Sequence, residues 1–167
     1  MPSAVYNAAL EAFDQAQWQH SDPNENETLG TSLFVENRMI GGSLRVFEGT
    51  IVRFLAFGHG DVEPQHLARV NELFLAVNPL LLNASLEIDA MIGAVCRASV
   101  NVEGLLNLDD EFRDEGGARA LLLDLALAAT GVYTKVLPAI EAVESGAEIQ
   151  EVVASLGLAT PASIPSR

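Results

Sequence analysis

TLGTSLFVENRMIGGSLRVFEGTIVRFLAF, residues 28–57, contains three apolar-rich runs separated by two short polar breaks. The runs Thr28–Glu36, Ile40–Glu48 and Thr50–Phe57 are predicted strands, with tight turns around Asn37-Arg38 and at Gly49. Breaks this short join antiparallel neighbours, so the stretch reads as a meander. Leu29, Leu33 and Val35 share one face of the first strand. The third strand is apolar on both faces apart from Arg53, which predicts a central position with both sides of the sheet covered.

Upstream, Val5, Ala9, Leu10, Phe13 and Ala16 recur at helical spacing over Val5–Trp18, after Ser3 as N-cap. His20–Glu27 is polar, contains Pro23 and reads as a loop. Downstream, Gly58–Glu63 is a loop and Pro64 opens a helix carrying Leu67, Val70, Leu73, Phe74 and Val77, stopped by Pro79. Two more strands follow. Ala84, Leu86 and Ile88 alternate on one, Ala94, Cys96, Ala98, Val100 and Val102 on the other, and Asp89–Gly93 joins them as a hairpin.

An acidic connection, Asp109–Gly117, leads to a long helix from Ala118 to about Ser145, which Pro138 should bend. Its apolar residues Leu121, Leu122, Leu123, Leu125, Val132, Val136, Leu137 and Ile140 nearly encircle it. A helix lying on one sheet face needs only one apolar stripe. A second covering surface is therefore expected, and a copy of the same chain is the natural candidate, with Leu125, Val132, Val136 and Ile140 as the dimer face. Gly146 ends the helix, and a short amphipathic helix with Ile149, Val152, Val153 and Leu156 closes at Gly157. The expected organisation is one α+β domain over residues 1–158, in the order α-βββ-α-ββ-α plus the short C-terminal helix, and a loose tail at 159–167.

Composition fits one folded domain. At 167 residues, 49% hydrophobic and 19% charged, the chain has enough apolar surface for a core, and folding at this length buries about two-thirds of the unfolded surface. Nine basic against 23 acidic residues give a net charge of −14, which repels phosphate backbones and anionic lipid and favours partners with a basic surface. Direct nucleic-acid and membrane binding are not expected. The windows Leu73–Leu86 and Ala118–Tyr133 are short for a bilayer and carry Pro79 or Asp124. A lone cysteine, Cys96, and an N-terminus without a basic n-region point to a reducing, cytoplasmic setting.

Motifs for chemistry fail on their own terms. Gly58-His59-Gly60-Asp61-Val62-Glu63 lies between a strand and a helix, but Glu63 replaces the third glycine of a dinucleotide fingerprint, its acids repel a pyrophosphate, and the strand before it belongs to a meander. His59, Asp61, Glu63 and His66 have metal-ligating atoms without a fixed ligand spacing. Asp109, Asp110, Glu111, Asp114 and Glu115 lack the spacing and central glycine of a calcium loop, and they suit a helix start. There is no Gly-x-Ser-x-Gly elbow, and Trp18 and Tyr133 read as core or interface residues. No catalytic residue, metal or cofactor is expected.

The element order is that of the type III secretion chaperones, dimeric proteins that bind unfolded segments of their clients. Local sequence resembles the YbjN family: Val70-Asn71-Glu72-Leu73 through Asn78, Leu86-Glu87-Ile88-Asp89, Val95-Cys96-Arg97-Ala98-Ser99-Val100, and Val102-Glu103-Gly104. Tyr133 with Pro138-Ala139-Ile140 and Val143–Gly146 resembles that family's final helix, so the likeness spans roughly Ala4–Gly146. Asn83 and Cys96 depart from it, standing where the family pattern has a glycine and an aromatic. The resemblance implies a chaperone-like α+β fold, homodimerisation and a non-enzymatic role in binding or regulating other proteins. The alternative it leaves open is a regulatory module sensing a small ligand between helix and sheet.

Overall fold

Residues 28–57 form the predicted meander. In a computed structural model, which describes residues 2–58, 60–103 and 116–158, strands β1 (Thr28–Val35), β2 (Arg38–Phe47) and β3 (Ile51–Phe57) pair antiparallel in sequence order. Glu36 and Asn37 both take positive φ, so the first turn is a two-residue hairpin centred one residue before the expected position. The second hairpin, β4 (Ala84–Asp89) with β5 (Gly93–Asn101), inserts β5 beside β3 and gives the order β1-β2-β3-β5-β4. β3 is therefore the middle strand, as its apolar sequence predicts.

Register fixes which residues face which way, because successive side chains alternate. The inner face collects Leu29, Ile40, Leu44, Val52, Phe54, Ala56, Leu86, Ala94, Cys96 and Ala98, all buried in one core. Across it lies α3 (Gly117–Glu144). It is flanked by α1 (Ala4–Gln15) on one side and by α2 (Leu67–Val77) and α4 (Ile149–Ser155) on the other. Ser3 caps α1 as expected, its Oγ accepting from Tyr6 N at 3.2 Å, and α1 ends before Trp18 because Gln17 turns to φ 57°. Asp89 Oδ1 accepts from Met91 N and Ile92 N and so closes the β4–β5 turn. There Gly93 sits at φ 83°, with the Gly60 carbonyl 1.8 Å from where a Cβ would be. No other residue fits that contact.

The two glycines of β2 let aromatic rings lie flat on the sheet. A Cβ on Gly42 would stand 2.5 Å from the Phe54 ring inside the core, and one on Gly41 2.4 Å from the Phe57 ring on the opposite face. Each ring fills the space its glycine leaves.

Two expectations change. All described helices pack on the inner face, so the sheet is covered on one side by the described residues and not on both. The outward Leu55 and Phe57 of β3 are half-buried by their strand neighbours, which satisfies their apolar character without a second layer. Likewise much of the broad apolar surface of α3 is covered within the chain, since sheet, α1, α2 and α4 touch it from several directions, while Leu127 stays exposed. This helix is long and apolar enough to cross a membrane by length and composition, and half of its most apolar stretch is buried in the protein's own core. It runs through Pro138 without interruption.

Candidate functional site

The segment before β1 leaves half of that strand's outer edge open. Ser21 N donates to Gly30 O at 2.8 Å, Gly30 N donates to Ser21 Oγ at 3.0 Å, and Thr31 Oγ1 donates to Gln19 O at 2.7 Å. Gly30 thus turns both backbone polar groups away from β2. Backbone groups two residues apart on a strand point the same way, so Ser32 and Phe34 also present N–H and C=O outward. The His20–Thr31 bridge sets Gln19 opposite Ser32, and beyond that pair no described segment is bonded to the edge at Phe34. The strap is held by His20, whose Nδ1 lies 2.9 Å from Ser21 O and Nε2 3.1 Å from Asp14 Oδ1. The Ser21 carbonyl first, then Asp14, raises the His20 pKa above its ordinary 6.5.

Beside this edge is a cleft of about 580 Å³ lined by Trp18, Leu33, Val35, Leu127, Thr130 and Gly131. Two exposed apolar side chains border it, Phe34 at 69% and Leu127 at 52%. The Thr130 hydroxyl oxygen is buried on its wall with no hydrogen-bond partner. A Cβ on Gly131 would meet nothing within 4 Å, so a glycine stands mid-helix where the cleft is open. An edge with unpaired peptide groups beside an apolar trough suits an extended polypeptide, whose backbone extends the sheet while alternate side chains enter the cleft.

The residues expected to form a dimer face lie elsewhere. Leu125, Val136 and Ile140 are 8%, 1% and 0% exposed, and Val132 is half-buried against the same core. Their apolar character serves the chain's own packing, and a dimer seated on them would have to open that core. The β1 edge was not foreseen. Its signal in the sequence was Phe34 and Met39, opposite each other on the face away from Leu33 and Ile40.

The catalytic and metal candidates do not assemble. His59 and the acidic run 109–115 lie outside the described residues. His66 Nε2 is 4.0 Å from Glu63 Oε2, and no three His, Cys, Asp or Glu side chains among the described residues converge on one point. Cys96 is fully buried, and that burial, with the charge of Glu87 adding to it, pushes its thiol up to about 12. It stays protonated and unreactive in the folded protein. A second cleft, of about 650 Å³, lies near β4, β5 and α3, with Ser85, Arg97, Leu121 and Asp124 in its walls.

No family model matches the chain, and no curated protein matches it. Similar solved structures include YbjN from E. coli, at 12% identity over 79% of this chain and 94% of that one, with a TM-score of 0.48. Another is the Yersinia pestis type III secretion chaperone SycH in complex with a stable fragment of YscM2, at 11% identity over 68% of this chain and 98% of that one, with a TM-score of 0.41.

Proposed function

We propose that this chain is a non-catalytic protein-binding domain that takes an extended segment of a client polypeptide as an added strand on the free half of β1. The carrying observation is the β1 edge, where Ser32, the last residue the Gln19–Ser21 segment stands opposite, and the unreached Phe34 turn N–H and C=O outward beside the cleft of Trp18, Leu127 and Gly131. Main-chain hydrogen bonds supply affinity in this mode, and the cleft supplies selectivity through alternate side chains. The sequence resemblance to the YbjN family points the same way.

The test is Ser32→Pro. Proline removes an N–H that faces away from β2, so the β1–β2 ladder is left intact. A tagged wild-type protein should capture specific partners from lysate that both Ser32→Pro and Leu127→Asp lose. Hydrogen exchange should show the Ser32 and Phe34 amides becoming protected once a captured partner is added. Capture of the same partners by Ser32→Pro at full strength would overturn the reading.

A homodimer is the second reading, and the same edge favours it. β1 pairing antiparallel with its own copy about a two-fold axis would continue the sheet across two chains. Light scattering should then report a dimer for the wild type and a monomer for Ser32→Pro, and a wild-type monomer at micromolar concentration would exclude it.

A further inference from the structure

The uncovered face of the sheet carries a charge pattern opposite to that of the whole molecule. Arg45 on β2 and Arg53 on β3 stand directly opposite each other in register, both on this face. Their guanidinium carbons lie 4.8 and 4.7 Å from the centroid of the Phe47 ring. Like charges facing across two strands destabilise the pair, and cation–π contact offsets only part of that.

The carboxylate that the described residues place among these arginines, Glu87, goes to Arg97 and not to Arg45 or Arg53. Arg38, Arg97 and Arg119 pair with Glu141, Glu87 and Glu11 at 2.6, 3.4 and 3.0 Å, and Arg69 donates to the Ala147 carbonyl. Among the described residues, Arg45 and Arg53 have no carboxylate within 4.0 Å, and Arg53 Nε is buried without a hydrogen-bond partner. About 13–20 Å along the same strands, the face becomes apolar: Phe57 lies over Gly41, and Phe34 pairs with Met39.

We propose that this face is a docking surface for an acidic polypeptide segment, with carboxylates meeting Arg45 and Arg53 and aliphatic side chains lying on Phe34, Met39 and Phe57. Charge complementarity selects this occupant. In a chain of net charge −14, two arginines without a carboxylate among the described residues leave a local demand for anions that the described acids do not fill. A nucleic acid would meet the arginines but bring nothing for the apolar end, and the overall charge repels a long polyanion. A second copy is disfavoured by symmetry. The same face of a second copy carries the same Arg45 and Arg53, so face-to-face stacking gathers like charges and supplies no surplus of acid. This surface touches the β1 edge at Phe34 alone, and Arg45 and Arg53 belong only to it, so either reading can fail without the other.

The probe is a fluorescent synthetic peptide alternating glutamate with leucine, followed by anisotropy, beside a lysine–leucine counterpart and a thymidine oligonucleotide. The glutamate peptide should bind, more weakly as salt rises. Arg45→Glu should weaken binding roughly tenfold or more, the scale of one charge-assisted hydrogen bond. Arg45 is exposed, so that variant should fold. Arg53→Gln, checked by circular dichroism, should weaken binding about as much. Leu127→Asp should leave it unchanged. The proposal is overturned if the wild type does not bind the glutamate peptide or binds the lysine peptide better, if the oligonucleotide displaces the peptide, or if Arg45→Glu and folded Arg53→Gln bind it as the wild type does.

Discussion

Gly41 and Gly42 are neighbours with different costs of substitution. A Cβ on Gly42 would press the Phe54 ring and the Thr31 methyl, at 2.5 and 2.8 Å, inside a closed core. A Cβ on Gly41 would press the Phe57 ring, on a face with room to move. Gly42→Ala should cost about 1–3 kcal/mol, the scale of core overpacking, and Gly41→Ala clearly less, as urea unfolding would report. A reversed order would mean that the outer face is the more rigid one. His20 gives a pH-dependent counterpart. Its folded pKa is raised, so its contribution to stability is complete below the ordinary 6.5 and is lost as pH rises through the higher folded value. The difference in melting temperature between wild type and His20→Gln should therefore shrink as pH is raised from below 6.5. A constant difference would show that the imidazole charge does not hold the strap onto β1.

At the scale of elements, α3 separates what sequence can and cannot reveal. Its length and apolar content were legible, and so were the five strands, because periods of 3.6 and 2 persist over many residues. What covers α3 was not. Periodicity on one helix does not say how many neighbours share it, and here α1, α2, α4 and the sheet take up Leu125, Val136 and Ile140. The β1 edge was hidden for a similar reason, since a free edge depends on where the preceding segment meets it, here no farther than Gln19 opposite Ser32. Gly131 gives this element its prediction. Replacing a mid-helix glycine that has open space around its Cβ should stabilise, so Gly131→Ala should gain about 0.5–1 kcal/mol in urea unfolding. Gly131→Trp should fold as well but fill the cleft and lose any partner that Ser32→Pro loses.

For the molecule as a whole, a net charge of −14 is an average over faces that differ. It favours a basic partner surface in general, while one sheet face gathers Arg45, Arg53 and the Glu87-paired Arg97 on adjoining strands. Total charge sums over the surface, and recognition samples one part of it. The strand order has a further consequence, in time. β1, β2 and β3 meet through turns of a few residues, but β5 reaches β3 only after α2 and β4 have been made, joining Ile51 to Asn101. Closing that longer loop costs chain entropy before any contact rewards it. The meander should organise early on the folding route and the β3–β5 seam late. Conservative truncations such as Leu44→Ala in β2 should slow refolding, while Leu86→Ala in β4 should mainly speed unfolding, as stopped-flow kinetics would resolve.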